Sequence, residues 1–396
     1  MNHLAKLTLL GFLYVSACAS PVKAAEFFGL GFTLAPEMGS SGVGLSSDGK
    51  IAVGQSGVLP EQATEAFRWT REGGIEGLGP PPDSSIGTSG SDAALDGTVV
   101  GISFLPQALE WTPDNVLHVL PNLAPPRPTS SMYANAYAIS ADAKWIVGSS
   151  WDSELHWTAV RWNADRQITS LPFTNAYDTS ADGSVVIGTN SDSQRTVAVR
   201  WTESGGVQEL GDLPGGRDVS TANGVSANGE VVVGLSSSSS SADYFEPFRW
   251  TAVTGMVGLG LLPGSVGGGM SGVSGNGEVI VGNNLYLSPT GDLQATAVIW
   301  TQDLGLLSAA DYFSDDLGLA SQLAGWHLDA ATSVSRDGLV IVGHGTNPQG
   351  NHEAWMAIVP EPTSGMLAAT GLVLAMACCV RRVDPRLRRH AVAVDP

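Results

Sequence analysis

The chain has 396 residues, of which 14% are charged and 49 are Gly, and its formal net charge is −19. That length exceeds the usual size of a single hydrophobic core and predicts several domains or a repeat array. The composition favours short strands joined by tight turns. It excludes coiled coils and basic nucleic-acid binders, while 43% hydrophobic residues and eleven Trp exclude a disordered chain.

The negative charge is concentrated in the body of the chain. Seven of the 19 cationic residues but only three of the 38 acids lie in the two ends, so residues 26–358 are more negative than the whole chain. Such a surface repels phosphate backbones and anionic lipids. We interpret it as keeping a protein soluble outside the cell; attraction of divalent cations or basic partners is the alternative.

The N-terminus has the pattern of a secretory signal peptide over residues 1–25. Lys6 precedes an apolar stretch from Leu7 to Ala19, and Val22-Lys23-Ala24 provides a small-residue cleavage site before Ala25. Val15-Ser16-Ala17-Cys18 is an alternative, because it loosely fits a lipoprotein box that would acylate Cys18. The other two cysteines lie near the C-terminus, so the exported body must fold without disulfides.

Residues 26–358 contain one repeated unit seven times. Each unit begins with a hairpin such as Ser46–Gly54, in which Asp-Gly or Asn-Gly separates two apolar segments. We predict a type I′ turn there, with positive φ at both central residues. The closing glycines of the hairpins are Gly54, Gly101, Gly148, Gly188, Gly234, Gly282 and Gly343.

Two further strands follow each hairpin, as in Ala66–Thr70 and Gly74–Gly79, and four short strands in one repeat have the size of a propeller blade. The seventh repeat stops after its third strand, Ala354–Ile358, whereas Phe27–Pro36 has the pattern of a spare fourth strand. Joining the two would close a ring and leave no exposed sheet edge. The predicted fold is therefore all-β, a seven-bladed β-propeller closed by an N-terminal strand.

The repeats resemble the HAF family of extracellular repeats, which are named for a His-Ala-Phe stretch before Arg-Trp. The resemblance covers residues 37–358, but Glu65, Glu246, Glu353 or a Thr stands near the position of the His. The family has no settled activity, so the resemblance implies an extracellular setting and no reaction. Repeat six departs by an insertion between Leu304 and Trp326, in which Asp315–Leu323 predicts one or two helical turns over one face of the ring.

Metal and aromatic ligand sites are weakly indicated. Each Asp-Gly turn supplies one carboxylate, and Asn228 and Asn276 replace two of them, so turn formation explains the pattern better than Ca²⁺ binding does. The acidic group of Asp311, Asp315 and Asp316 is better explained as a solvated helix start. The tryptophans of the repeat predict core packing. Core packing is also favoured for the tryptophans outside the repeat position, although these are better candidates for exposed stacking surfaces than the others: Trp151, Trp157 and Trp326.

A catalytic set is not evident, and we predict neither an enzyme nor a cofactor. Sequence motifs of hydrolases and nucleotide-binding proteins are absent, and the body has no thiol. The histidines are scattered along the sequence at His118, His156, His327, His344 and His352. Paired carboxylates could still converge in a propeller channel as in glycosidases. The acids near blade starts are Asp92, Asp142, Asp178 and Asp218.

The C-terminal residues 359–396 fall into three parts. Val359-Pro360-Glu361-Pro362 comes first, an uncharged stretch from Gly365 to Val380 follows, and Arg381-Arg382 opens a basic cluster. The apolar stretch predicts a short transmembrane helix over 365–380 with the arginines in the cytoplasm. The three parts together resemble the PEP-CTERM sorting signal of Gram-negative bacteria. That resemblance implies anchoring in the inner membrane until an exosortase cleaves near the motif, although here the chain continues for 14 residues beyond Arg382.

The function predicted from these features is a non-enzymatic exported surface or matrix protein. The resemblance implies an exosortase-type enzyme as a processing partner and links the pathway to exopolysaccharide and biofilm, and no nucleic-acid partner is expected. One alternative is a carbohydrate-binding propeller. The other is a propeller hydrolase with carboxylates in its channel.

Overall fold

The computed structural model describes residues 24–33, 35–57, 64–81, 87–104, 107–124, 133–241 and 244–360. Residues 25–359 form one compact unit, and the only described residues outside it are Ala24 and Pro360. The predicted transmembrane helix over 365–380, and the sorting motif from Glu361 onward, lie outside the described residues. Within the described ranges, no helix is long and apolar enough to cross a membrane.

The compact unit is a seven-bladed β-propeller, since its strands form seven antiparallel sheets of four strands each. Blade one contains β2 (Ser40–Leu45), β3 (Ile51–Ser56), β4 (Glu65–Thr70) and β5 (Gly74–Gly77). Blade two contains β6 (Thr88–Ala93), β7 (Val99–Ser103), β8 (Ala108–Trp111) and β9 (Leu117–Val119). Blade three contains β10 (Ala134–Ile139), β11 (Trp145–Trp151), β12 (Trp157–Asn163) and β13 (Ile168–Ser170). Blade four contains β14 (Asn175–Thr179), β15 (Val185–Ser191), β16 (Thr196–Thr202) and β17 (Gly206–Glu209). Blade five contains β18 (Ser220–Val225), β19 (Val231–Ser236), β20 (Glu246–Thr251) and β21 (Gly255–Gly258). Blade six contains β22 (Gly267–Val273), β23 (Val279–Leu287), β24 (Leu293–Thr301) and β25 (Gly305–Ser308).

Blade seven is completed by both ends of the unit, as predicted. It contains β26 (His327–Val334), β27 (Val340–Thr346) and β28 (His352–Ile358), and its outer strand is β1 (Glu26–Gly29). Glu26 pairs with Ile358 and Gly29 with Trp355 in antiparallel register. The closing strand is shorter than the predicted segment: it ends at Gly29, and Gly31 has a positive φ of 84°, which is not extended.

The hairpin turns keep their predicted positions, but the type I′ assignment is wrong. In blade one the Gly49 N–H donates to the Ser46 carbonyl over 2.8 Å, and Gly49 alone of the turn residues has positive φ, at 72°. The Asp48 carboxylate accepts from the Ser46 hydroxyl at 2.8 Å and from the Lys50 N–H at 3.2 Å. A side-chain oxygen therefore holds the turn, which explains why Asn228 serves equally well.

Aromatic side chains and glycines fit the blades against each other. Phe67 is fully buried, and Trp69 is 8% exposed. A Cβ at Gly148 would collide with the Asn135 carbonyl oxygen of the innermost strand, which explains a glycine at the closing position. The Arg161 guanidinium lies 4.3 Å from the ring centre of Trp145. The aromatic residues and closing glycines of the repeat are thus explained by sheet packing rather than by a repeated ligand site.

The insertion of repeat six packs against the closing strand. Its helical part is a short α-helix, α1 (Ala309–Asp311), that continues as a π-helical turn (Tyr312–Asp316). The helical segment therefore begins six residues before the predicted start at Asp315. Gln322 Oε1 accepts a hydrogen bond from the Phe27 N–H over 2.8 Å. The Trp326 ring lies 5.3 Å from that of Phe27, and it therefore contributes to the core instead of an exposed stacking surface.

Hydrogen bonds between neighbouring hairpin turns link the blades at five of the seven junctions around one mouth of the ring. In each, the N–H of the residue after the turn's first position donates to the corresponding carbonyl of the next blade. The bonds are Leu95–Ala141 (3.1 Å), Ala141–Ala181 (3.0 Å), Ala181–Ala227 (3.1 Å), Gly275–Arg336 (2.9 Å) and Arg336–Ser47 (2.8 Å). They hold neighbouring turns together at this end of the channel.

Candidate ligand site in the central channel

Every innermost strand contains a β-bulge that turns one residue into the channel. Each bulge appears as a register shift against the second strand of its blade, and the extra residue lies unpaired between the shifted positions. The bulged residues that line the channel are Val43, Ser91, Tyr137, Tyr177, Asn223, Ser271 and Thr332; β26 has a second bulge, at Asp329. The bulged residues of the channel line a cavity of about 370 Å³ on the side of the hairpin turns. The channel is thus open and largely polar at this level.

Two carboxyl groups follow the bulges of blades two and four. Asp92 accepts hydrogen bonds from the N–H of Ala93 at 2.8 Å and of Ile139, in the next blade, at 3.0 Å. Asp178 repeats this geometry with the N–H groups of Thr179 and, in blade five, Val225, at 2.7 and 2.8 Å. Each carboxyl group therefore has a fixed orientation, with one amide bond to each of its oxygens.

Burial dominates the electrostatics of both groups. It raises the pKa of Asp92 to about 8, against the opposing effect of the two amide hydrogen bonds, and the charge of Asp178 raises it further. Burial likewise raises the pKa of Asp178 to about 7. Both residues nevertheless keep partial contact with channel solvent. The charge of each is only partly compensated, because neither forms an ion pair with a cationic side chain of the described ranges.

Two tyrosines lie between the carboxyl groups in the ring. The Tyr137 and Tyr177 rings meet edge to face with centroids 5.5 Å apart. The Tyr137 hydroxyl accepts a hydrogen bond from Asn135 Nδ2 at 2.8 Å, and burial raises the pKa of that phenol, so it remains neutral. On the other side Asn223 Nδ2 donates to the Met270 carbonyl at 2.9 Å. Blades two to four thus form a continuous acidic and aromatic arc, and Asn223 of blade five lies beside it.

The other two acids proposed from blade starts do not reach the cavity. Asp142 lies in a hairpin turn, where it bonds Lys144 Nζ at 2.7 Å. Asp218 is exposed on a loop with φ of 56°. The acids of the insertion, Asp311, Asp315 and Asp316, are also exposed to solvent. Sequence proximity to a blade start therefore selected two channel carboxyls out of four candidates.

Three histidines that are scattered in the sequence lie together in blade seven. The rings of His344 and His352 have centroids 5.1 Å apart, and Asp329 lies 3.3 Å from His327 Nε2 and 3.8 Å from His352 Nε2. His344 Nδ1 shares a hydrogen bond of 3.1 Å with the Ser41 hydroxyl of blade one. Across the described part of the chain, no three His, Cys, Asp or Glu side chains are arranged to hold a metal ion.

A second aromatic group lies at the outer end of blade three. Trp151 and Trp157 face each other across a strand pair with ring centroids 5.8 Å apart, and Tyr133 contacts Trp151 at 4.7 Å. All three are partly exposed. The expectation of a stacking surface is thus compatible with two of the three tryptophans named from the sequence, and Tyr133 was missed.

Sequence reasoning also missed the two channel tyrosines. Like the other five bulged residues, Tyr137 and Tyr177 stand three positions before the first residue of the hairpin turn, Ser140 or Ser180. Comparing that column across the seven repeats would have found them. Its importance depends on the bulge, which the alternating pattern of a strand does not predict.

Comparisons with known proteins identify the fold alone. No protein-family model and no curated protein sequence matches the chain. Among solved structures, puromycin hydrolase is similar over 81% of this chain and 52% of that chain, with 15% identity and a TM-score of 0.54. TolB from Acinetobacter baumannii is similar over 77% of this chain and 78% of that chain, with 12% identity and a TM-score of 0.43. The β-propeller domain of the Trilobed protease from Pyrococcus furiosus is similar over 78% of each chain, with 10% identity and a TM-score of 0.40.

Proposed function

We propose that the protein is a non-catalytic, exported β-propeller that binds a small ligand in its central channel. The observation that carries this proposal is the geometry of Asp92 and Asp178 in an open polar cavity. Main-chain amides fix both oxygens of each carboxyl group, which suits recognition of a ligand more than nucleophilic attack or proton exchange. A cavity of about 370 Å³ falls within the usual range of small-molecule sites.

Ligand binding is tested by thermal stabilisation of the full-length chain against a library of small metabolites. A ligand that binds the folded state raises the melting temperature, because it stabilises that state by an amount that grows with the logarithm of the ratio of ligand concentration to dissociation constant. The matched variants are Asp178→Asn, in the cavity, and Asp182→Asn, in the adjacent hairpin turn. Loss of the shift in the first and its retention in the second support the proposal; retention in both places the site elsewhere.

A propeller hydrolase remains the second candidate because two carboxyl groups with raised pKa face the same channel. General acid catalysis near neutral pH requires such a carboxyl group. Puromycin hydrolase contributes no further argument, since this chain spans about half of that protein and shares only its fold. Turnover of chromogenic glycosides or peptides that disappears in Asp92→Asn, with folding intact, would replace the binding proposal by this one.

A carbohydrate-binding surface is favoured separately by Tyr133, Trp151 and Trp157, since partly exposed aromatic rings can stack on sugar faces. A glycan array that includes the polysaccharides of the producing cell tests it with the Trp157→Ala variant. Binding that survives this substitution would contradict a role for the group.

Export and sorting are the remaining parts of the proposal, and they rest on sequence patterns at both ends. We propose cleavage of residues 1–25, passage through the inner membrane and processing near Val359-Pro360-Glu361-Pro362 by an exosortase-type enzyme. The last described strand ends at Ile358, so cleavage beyond Val359 would leave every sheet complete. Unchanged release of the protein from cells without exosortase would refute the sorting step.

A further inference from the structure

The ring can form without a carboxyl group at the position that Asp92 and Asp178 occupy. It is the residue after the bulge of each innermost strand, and the other five blades have small residues there. These are Gly44, Ala138, Gly224, Gly272 and Ser333. Because five joints between blades form without an acid, assembly of the propeller does not explain the two that have one.

Both acids are costly where they lie. Removing a carboxylate from water without a paired cation is unfavourable, and the raised pKa of each group reflects this cost. The cavity has a cationic lining residue, Arg336, but it is exposed at the mouth and forms no ion pair with either acid in the described ranges. A ligand that brings positive charge into the cavity would offset the cost.

The arc between the acids defines the kind of cation. Tyr137 and Tyr177 place neutral aromatic rings beside the carboxyl groups, and aromatic faces attract organic cations. A bare metal ion fits poorly, because blade three separates the two acids and each of their oxygens already accepts an amide hydrogen bond. On the other side of the cavity the bulged residues of blades six and seven are Ser271 and Thr332, whose side chains are smaller than the tyrosines and leave room for the body of a ligand.

We infer that the channel cavity binds a small organic ammonium ion, held by Asp92 and Asp178 and packed against Tyr137 and Tyr177. This inference rests on the proposed binding function and specifies its ligand class. The negative charge of the body would also raise the local concentration of such ions at the channel mouth.

Isothermal titration of the full-length chain with choline tests the inference, with the uncharged isostere dimethylbutanol as the matched control ligand. These two molecules have nearly the same shape, but a neutral quaternary carbon in dimethylbutanol replaces the positively charged nitrogen of choline. We expect choline to bind at least about tenfold more tightly than dimethylbutanol, because the cation gains both the carboxylate attraction and the cation–π contacts. Equal affinities, or no binding of choline at millimolar concentration, would overturn the inference.

Choline binding is also measured in several variants and at several pH values, so that the test does not depend on one substitution that could impair folding. Asp178→Asn and Tyr177→Leu should each weaken choline binding about tenfold, whereas Asp182→Asn should leave it unchanged. Choline affinity should rise between about pH 6 and pH 9, as the acids ionise. The titratable or charged groups that line the cavity are Asp92, Asp178, Tyr137, Tyr177 and Arg336. A flat pH profile would contradict the assignment to the two acids.

The outcomes separate this inference from the broader function. If a neutral saccharide binds in the cavity and choline does not, the ligand class is wrong while the binding function stands. If no ligand binds and a substrate is turned over, both are wrong.

Discussion

The strongest quantitative test of the channel chemistry is the pH dependence of stability in Asp92→Asn. The pKa of Asp92 is about 8 in the folded chain, against 3.8 for the unperturbed group, because burial penalises its charged form. Between these values the folded state keeps a proton that the unfolded state has lost. The free energy of unfolding therefore falls as pH rises through this range, by about 1.4 kcal/mol per pH unit for each such proton.

The variant removes that proton and hence its share of the slope. Between about pH 5 and pH 7 the wild-type chain should lose about 3 kcal/mol more unfolding free energy than Asp92→Asn does. At the lower pH the variant should be less stable by about 1–3 kcal/mol, since an amide that faced a carboxyl oxygen now faces an NH₂ group. The difference between the two proteins should therefore shrink or change sign as pH rises.

Urea unfolding of the full-length chain, followed by tryptophan fluorescence, measures both slopes. Asp182→Asn is the control: hydrogen bonds donated by the Ser184 N–H and hydroxyl hold the pKa of Asp182 below its usual value, so its charge does not change in this range. Asn228 occupies the equivalent turn in blade five, so this substitution should preserve the fold. A wild-type-to-Asp92→Asn difference that is the same at both pH values would refute the raised pKa and the burial argument behind it.

Three further substitutions test the construction of the ring. Ser180→Ala leaves the Val185 N–H of a hairpin turn unpaired and should cost about 1–3 kcal/mol of unfolding free energy in urea titration; an unchanged midpoint would contradict the turn geometry. Phe27→Ala empties the contact with the insertion and should cost about 3–5 kcal/mol, with hydrogen exchange in the closing strand accelerating first; uniform acceleration over all blades would argue against a local seam. Gly148→Ala places a methyl group against the Asn135 carbonyl and should prevent a native near-ultraviolet circular dichroism spectrum, and native folding of this variant would refute the close approach.

The number of blades and the closure of the ring were predictable because both depend on patterns that can be seen in the amino-acid sequence. The repeat of Asp-Gly turns and Arg-Trp strands counts the sheets, and the spare segment at Phe27 matches the strand missing after Ile358. The turn type was predicted wrongly because the same Asp-Gly pair can be held by a side-chain oxygen as well as by a left-handed backbone.

The composition of the channel was only half predictable. Asp92 and Asp178 could be named as candidates from their charge, but the direction of Tyr137 and Tyr177 depends on a bulge that reverses the alternation of the strand. The histidine group of blade seven could not be predicted from the sequence for a different reason. A hairpin brings His344 beside His352, and pairing with the second strand of the blade then adds His327, so the group exists only after the sheet forms.

The position of the closing strand also delays the completion of blade seven until the end of translation. A ribosome makes β1 first and its partner β28 last, so Phe27 must wait for nearly the whole body to be translated before it can be covered. During that interval an apolar strand edge is available to other chains. Any product truncated before repeat seven would keep this edge permanently, and cellular quality control could recognise unfinished copies by it.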